Sequence, residues 1–361
     1  MRLHSLQGLR AVCISFVVLA HLSGTQHFFR SPLLEMYGNL GVRIFLVLSG
    51  YLITAQLIRQ YEKTGTISLP TFYARRAFRI FPAAYVFMIV AVVTHWRALS
   101  WPNIVTAFTY TVNYYQHGNH ILGHLWTLGV EEQFYLLWPF TLLLFFPRRL
   151  WIVAGVIAAG PPLRGLFWLV WGHAGLNHPF PVFADALAMG CAVSILEPQI
   201  KRFACILAKR WLLLVPAVTL AVPLVQLWSA SVYQTIGLSV LHLGIALSIR
   251  HVMERRYALL NSGPVMWLGG ISYSLFLWQQ LFLNRGSSGW WSAFPLNLVL
   301  AVSIAAASFY LIEQPFLELR ERWTRPRLPR LVRNEERLRP QSREAPALAA
   351  VEVSRPAIGA D

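Results

Sequence analysis

Long apolar segments constrain this chain more than any other feature. They recur along most of its length, typically over about 17–25 residues, and short charged or Gly/Pro-rich breaks separate them. Apolar residues make up 56% and charged residues 13% of the 361 residues, whereas soluble domains contain about 25% charged residues. The pattern therefore predicts an all-α, polytopic transmembrane helical bundle and excludes an ordinary soluble domain.

The breaks between the apolar segments predict about ten membrane-spanning helices. Their predicted ranges are 11–27, 40–58, 80–97, 125–146, 151–172, 182–197, 211–228, 232–250, 264–283 and 293–313. A further apolar segment, 103–115, is short and polar for a crossing, and we expect it to be re-entrant or interfacial.

Basic residues cluster in alternate loops of this arrangement. The clusters on one side are Arg59/Lys63/Arg75/Arg76/Arg79, Arg148/Arg149, Lys201/Arg202/Lys209/Arg210 and Arg250/Arg255/Arg256. Because cytoplasmic loops carry excess Lys and Arg, both termini are predicted to face the cytoplasm. The bacterial inner membrane is the expected location by the family resemblance described below. The net charge of +16 is thus explained by topology, and no nucleic-acid partner is predicted.

The composition changes near residue 318. Arg, Pro, Glu and Ala dominate from there, and ten Arg lie between Arg320 and Arg355. We predict an integral-membrane domain over 1–317 and a basic, disordered cytoplasmic tail over 318–361, whose first part would contact anionic membrane lipids.

Arg10 and His21 are separated by eleven positions. On an α-helix this equals about three turns and about 16 Å, so both side chains lie on nearly the same face. An anionic group bound at Arg10 could extend a long arm toward His21. The alternative is a topological anchor at Arg10 and a packing histidine, although an ionisable residue within a membrane segment favours function.

Adjacent carboxylates, Glu131 and Glu132, interrupt another apolar segment. Neighbouring residues on a helix diverge by about 100°, so these side chains cannot point the same way. One of them could orient His21 and make it a better base. The alternative is a structural pair that neighbouring helices satisfy.

A compact cationic cluster, Arg75, Arg76 and Arg79, precedes the third predicted helix. Guanidinium groups bind phosphate oxygens bidentately, so this cluster and Arg10 could bind a phosphorylated cytoplasmic ligand. A topology signal is the alternative.

Several other polar residues could contribute to the site. His117, His120 and His124 lack accompanying Cys ligands, and no metal is predicted. Asp185 and Glu313 could each support the site or fix the bundle. Ser49, Asn113 and Tyr273 are candidate donors to an oxyanion.

Six segments of the chain resemble the acyltransferase-3 family of membrane O-acyltransferases. These are LRAVCISFVVLAH, GVRIFLVLSGYLIT, FYARRAFRIFPAAY, HLWTLGVEEQFYLLWP, LGGISYSLFLW and YLIEQPFLELR. The resemblance implies acyl transfer, commonly of acetyl, from cytoplasmic acyl-CoA to a hydroxyl of a carbohydrate or similar acceptor. It implies a catalytic His21 and a donor-binding role for Arg10, Arg75, Arg76 and Arg79. The chain departs from many relatives at Gln279 and at Phe183.

The residues and the resemblance together predict one reaction. Acyl-CoA, a substrate rather than a bound cofactor, would bind through its phosphates, and His21 would remove the proton from the attacking hydroxyl. A covalent acyl intermediate remains an alternative to direct transfer. Two other classes also remain open: a proton-coupled transporter or flippase using the buried His and Glu residues, and an inactive scaffold that recruits partners through the tail.

Overall fold

The computed structural model describes residues 2–115, 119–175, 179–202, 213–255 and 257–324. Within these ranges the regular elements are helices, without strands, which confirms the all-α class. The predicted tail from residue 325 onward lies outside the described residues, as do His117, Cys205, Lys209, Arg210 and Arg256.

Sixteen α-helices can be followed along the described chain. They are α1 (Arg2–Leu22), α2 (Pro32–Thr64), α3 (Leu69–Thr94), α4 (Trp101–Phe108), α5 (His120–Gly123), α6 (Trp126–Phe145), α7 (Arg149–Gly175), α8 (Phe180–Ile195), α9 (Glu197–Lys201), α10 (Leu214–Ala221), α11 (Val225–Trp228), α12 (Ala230–Val232), α13 (Leu238–Glu254), α14 (Gly263–Phe282), α15 (Leu296–Ser308) and α16 (Gln314–Thr324). Single π-helical turns, Tyr233–Gly237 and Phe309–Glu313, precede α13 and α16.

Each predicted helix overlaps a helix of the structure, but fewer helical stretches have the length and hydropathy of a membrane crossing. Six helical stretches of the described chain are long and apolar enough to cross a membrane: Ser5–Leu22, Pro32–Thr64, Leu69–Thr94, His120–Gly172, Ala230–Glu254 and Leu296–Trp323. Phe180–Ile195 and Leu214–Trp228 are shorter apolar helices. The chain is thus a multi-pass helical membrane protein, whereas the count of about ten crossings is not confirmed.

The segment expected to be re-entrant contains only a short helix. Helix α4 has eight residues, which span about 12 Å and cannot cross a bilayer. Ser100 begins it with a capping box, since its hydroxyl accepts from the backbone N–H of Asn103 and the Asn103 side chain accepts from the Ser100 N–H. A short 3₁₀ turn, Val112–Tyr114, follows and packs against α6.

Helix α2 lies at the centre of the bundle because small residues allow close approach to its neighbours. A Cβ atom at Gly50 would collide with the backbone of Leu187 on α8, and one at Gly190 would collide with the backbone of Val47. Interfaces of this kind are typical of helices packed in membranes. Ser49 is next to this contact, and the close packing fixes its position.

The predicted domain boundary at residue 318 falls inside a helix. Helix α16 continues to Thr324 and packs against α3, where the rings of Phe78 and Trp323 lie 6.2 Å apart. The packed part of the chain therefore extends at least to Thr324.

Candidate active site

A cavity of about 310 Å³ lies between α1, α2, α3, α6 and α14. Its charged and polar lining comprises Arg10, Ser49, Gln56, Arg59, Arg76, Arg79, Thr127, Glu131, Tyr135, Ser272 and Tyr273. Apolar side chains complete the wall, among them Val42, Phe45, Leu46, Leu52, Leu128 and Phe276. The cavity is thus amphipathic, with four guanidinium groups and an apolar interior. We call the part that carries Arg10, Arg59, Arg76 and Arg79 its arginine end.

The predicted donor-binding arginines do not all contribute to the cavity. Arg10, Arg76 and Arg79 line it, whereas Arg75 is absent from the lining and lies within electrostatic range of Arg320. Arg59, which the sequence analysis assigned only to topology, lines it as well. The cationic group predicted from sequence is therefore present with one member exchanged.

Packing and one side-chain hydrogen bond position Arg76. Its guanidinium lies over the rings of Phe72 and Tyr135, 5.7 and 5.3 Å from their centroids. Arg76 Nη2 donates to Gln56 Oε1 at 3.2 Å, and Nε has no partner. The side chain is thus held in place while part of its donor set remains available to a ligand.

Glu131 faces the cavity in a defined orientation. Ser49 Oγ donates to Glu131 Oε1 at 2.6 Å, and the Tyr135 hydroxyl donates to Oε2 at 3.0 Å. Tyr135 follows Glu131 by four residues and so lies on the same helix face. Glu132 is absent from the cavity lining, and its Oε1 is buried without a partner. The two carboxylates diverge, as their adjacency predicts.

His21 lies elsewhere than the sequence analysis placed it. The described residues contain no hydrogen bond between His21 and either glutamate, since Ser49 and Tyr135 engage Glu131. His21 is not among the cavity-lining residues. Its ring lies beside the amide of Gln279 and within electrostatic range of Arg285, and its Nδ1 is buried without a partner. These contacts give no support to the expectation that a glutamate orients His21, which stays a prediction.

All three candidate oxyanion donors are engaged within the protein. Ser49 donates to Glu131, and the Tyr273 hydroxyl donates to the carbonyl of Ile80 at 2.8 Å. The Asn113 amide forms a reciprocal pair with Gln133, with distances of 3.2 and 3.0 Å. The hydroxyl hydrogens of Ser49 and Tyr273 and one N–H of Asn113 thus have partners already.

Asp185 belongs to a buried network away from the cavity. Its Oδ2 accepts from Arg164 Nη1 at 2.8 Å and from Ser239 Oγ at 3.1 Å, and His242 Nδ1 lies 3.2 Å away. Arg43 Nη1 lies 3.0 Å from His242 Nε2. The network joins α2, α7, α8 and α13, so Asp185 fixes the bundle. The part that Arg43 and His242 play in this network was not predicted from sequence, although each is a rare ionisable group in an apolar helix.

Glu313 lies nearer the site. It accepts a hydrogen bond from Ser274 Oγ at 3.1 Å and is within electrostatic range of Arg79 and Arg10. It therefore balances charge behind the arginine end of the cavity.

The described histidines of the segment 117–124 are not brought together as metal ligands. His120 is exposed and His124 is buried, while His117 lies outside the described residues. Across the described ranges, no group of three or more His, Cys, Asp or Glu residues is arranged to hold a metal ion.

Fold and site together define a multi-pass helical membrane protein with a cationic, amphipathic cavity. The profile of the family described as "Acyltransferase domain" (Acyl_transf_3) matches residues 3–313. The chain belongs to this acyltransferase family.

Curated proteins that are similar to this chain are named as O-acetyltransferases. The peptidoglycan O-acetyltransferase OatA of Listeria monocytogenes is 28% identical, with 86% of this chain and 55% of that protein covered. A putative O-acetyltransferase of Staphylococcus aureus (strain COL) is 27% identical, with 86% and 56% covered. The O-acetyltransferase OatA of Staphylococcus aureus (strain NCTC 8325) is 30% identical, with 54% and 35% covered. The chain spans about half the length of the first two relatives, and no solved structure matches it.

Proposed function

We propose that this protein is an integral-membrane O-acyltransferase. It transfers an acyl group, acetyl in the simplest case, from cytoplasmic acyl-CoA to a hydroxyl of a carbohydrate or related surface or secreted acceptor. Family membership and the O-acetyltransferase relatives support the reaction class. The observation that carries the donor assignment is the amphipathic cavity with four arginines at one end.

The donor's chemistry fits the two parts of this cavity. Nucleotide phosphates are multiply charged and suit guanidinium donors, which bind oxygens in pairs. The pantetheine arm is long, narrow and largely apolar, and it suits the wall formed by residues such as Phe45, Leu128 and Phe276. With the phosphates near Arg10, the arm would have to extend about 16 Å along α1 to bring the thioester to His21.

His21 is proposed to act as the base. It takes the proton from the acceptor hydroxyl as the oxygen attacks the thioester carbonyl. The C–O bond forms, the C–S bond then breaks, and the thiolate leaves with the proton that His21 held. This direct transfer needs neither a bound cofactor nor a metal.

Glu131 has a different proposed role from the one assigned to it by sequence. Its carboxylate lies within electrostatic range of Arg10 and Arg76. It would hold these two guanidinium groups in position and limit the repulsion between them before the donor binds. Glu131 is thus a positioning residue for the donor.

The family resemblance leads us to propose a bacterial inner membrane, and the basic loops lead us to propose that both described chain ends lie on its cytoplasmic side. Single cysteines placed near Arg59 and near Arg30 would test this in intact cells with a membrane-impermeant thiol reagent. Labelling is expected near Arg30 and not near Arg59, and the reverse pattern would refute the orientation.

The decisive experiment uses purified protein in lipid nanodiscs. Acetyl-CoA is supplied with a hydroxyl acceptor such as muropeptides or an oligosaccharide, and both thiol release and acceptor acetylation are measured. His21→Ala should abolish transfer. His95→Ala is the matched control, because His95 lies at the end of α3 and hydrogen-bonds to Thr94. Thiol release that persists in His21→Ala would refute the proposed base, and absence of thioester chemistry in the wild type would refute the enzyme.

A further inference from the structure

A group of buried polar atoms without partners lies beside His21, at the far side of the cavity wall. His124 has two such atoms, Nδ1 and Nε2, and Gln279 also has two, Nε2 and Oε1. His124 is 8% exposed and Gln279 is fully buried. Buried polar groups are normally hydrogen-bonded, so these atoms are suited to binding a polar group that enters beside His21.

Both residues are placed near the proposed reaction centre. The Gln279 amide lies within hydrogen-bonding reach of the His21 imidazole, and His124 lies near His21 and near the backbone of Ile121 and Leu277, although none of these contacts has the geometry of a regular hydrogen bond. The three side chains come from α1, α14 and the residue that follows α5, so they converge from separate parts of the fold. Convergence of unpaired polar groups from several elements is typical of a binding site.

One aromatic side chain, Phe276, contacts both this polar group and the cavity. The His124 ring lies between Phe87 and Phe276, with centroids at 5.4 and 5.2 Å. Phe276 itself lines the cavity. A thioester bound next to Phe276 in the cavity would therefore lie close to His124.

The reaction requires hydrogen-bond donors close to the thioester carbonyl. When the acceptor oxygen attacks, the thioester carbonyl oxygen becomes an anion, and two preorganised N–H or O–H donors typically stabilise it. Ser49, Tyr273 and Asn113 have intramolecular partners. His124 and Gln279 have buried nitrogens without a regular hydrogen bond, and both residues lie beside His21.

Building on the proposed function, we propose that His124 and Gln279 donate the hydrogen bonds that stabilise the oxyanion at His21. The neutral imidazole of His124 supplies one N–H and the amide of Gln279 supplies another. Neither gains nor loses a proton in the step. His21 holds the acceptor's proton until it passes to the departing thiolate.

Two isosteric variants separate this role from packing. His124→Phe keeps an aromatic ring between Phe87 and Phe276 but removes both nitrogens, and Gln279→Leu keeps the volume but removes the amide. Loss of one oxyanion donor typically lowers kcat by about 10²–10³-fold. Each variant should therefore show that loss in nanodiscs with acetyl-CoA, while KM for acetyl-CoA changes less than about threefold.

A conservative variant provides the rescue. Gln279→His restores an N–H donor at the same position and should recover most of the kcat lost in Gln279→Leu. Thermal unfolding of each purified variant shows whether the bundle is intact.

The possible results distinguish the two proposals. Wild-type turnover with variant kcat values within about fivefold of wild type would overturn the oxyanion assignment alone. Equal inactivity of Gln279→Leu and Gln279→His would also overturn it, because a packing role would then explain the loss. A wild type without thiol release would overturn the proposed function and this inference with it.

Discussion

Replacing Arg79 tests whether the arginine end of the cavity binds donor phosphates. Arg79 lines the cavity, whereas Arg75, four residues earlier on the same helix, does not. Arg79→Gln and Arg75→Gln remove the same charge from two half-buried positions, one helical turn apart on α3. They therefore form a matched pair in which only one member contacts the proposed donor.

The expected magnitude follows from the burial of Arg79. A hydrogen bond that involves a charged group contributes about 1.5–3 kcal/mol, which corresponds to about 10- to 140-fold in affinity. Arg79 is half-buried at the arginine end of the cavity, so solvent weakens its interaction with a phosphate. The lower part of the affinity range therefore applies. We expect KM for acetyl-CoA to rise about 10- to 30-fold in Arg79→Gln and less than about twofold in Arg75→Gln, with kcat nearly constant in both.

A truncated donor provides the internal control. S-acetyl-N-acetylcysteamine carries the thioester but no nucleotide phosphates, so Arg79→Gln should not change its KM. Initial rates of thiol release at varied donor concentration measure all four combinations. Equal effects of the two substitutions, or an Arg79 effect that persists with the truncated donor, would refute phosphate binding at this end.

Two further substitutions test other parts of the molecule. Asp185→Asn should destabilise the bundle by about 3–5 kcal/mol, because it leaves the fully buried Arg164 without its carboxylate. Unfolding by SDS measures this loss, and Glu35→Gln, at the exposed pair with Arg30, should cost no more than about 1 kcal/mol. Phe276→Leu shortens the side chain between cavity and His124, and it should raise kcat/KM for butyryl-CoA relative to acetyl-CoA by about tenfold. An unchanged ratio of these values would exclude Phe276 as a determinant of acyl length.

Much of the fold was predictable because membrane helices obey a simple constraint. Backbone groups in lipid must be satisfied within each segment, so long apolar runs become helices, and each predicted range indeed overlaps one. The number of crossings was less predictable. Helices such as Phe180–Ile195 are apolar but short, and sequence length alone does not decide whether such a helix crosses or lies within the bundle.

The candidate site was predictable where residues share one helix and unpredictable where helices meet. The spacing of Arg76 and Arg79 places both near one end of α3, and both line the cavity. The partner of Glu131 depends instead on how α2 packs against α6, which no local pattern encodes. Ser49 occupies that position because Gly50 permits close packing with α8.

The separation of His21 from Glu131 changes the physical role of each. A carboxylate beside the histidine would have favoured its protonated form and slowed release of the proton to the thiolate. His21 instead has an amide and a second imidazole as neighbours, Gln279 and His124, and in the proposed reaction it accepts the proton of the acceptor hydroxyl. In the same scheme, the negative charge of Glu131 offsets the repulsion among the nearby arginines before the donor phosphates bind. In the proposed scheme, the charged side chains surround the donor phosphates, and neutral hydrogen-bonding side chains surround the thioester where the acyl group is transferred.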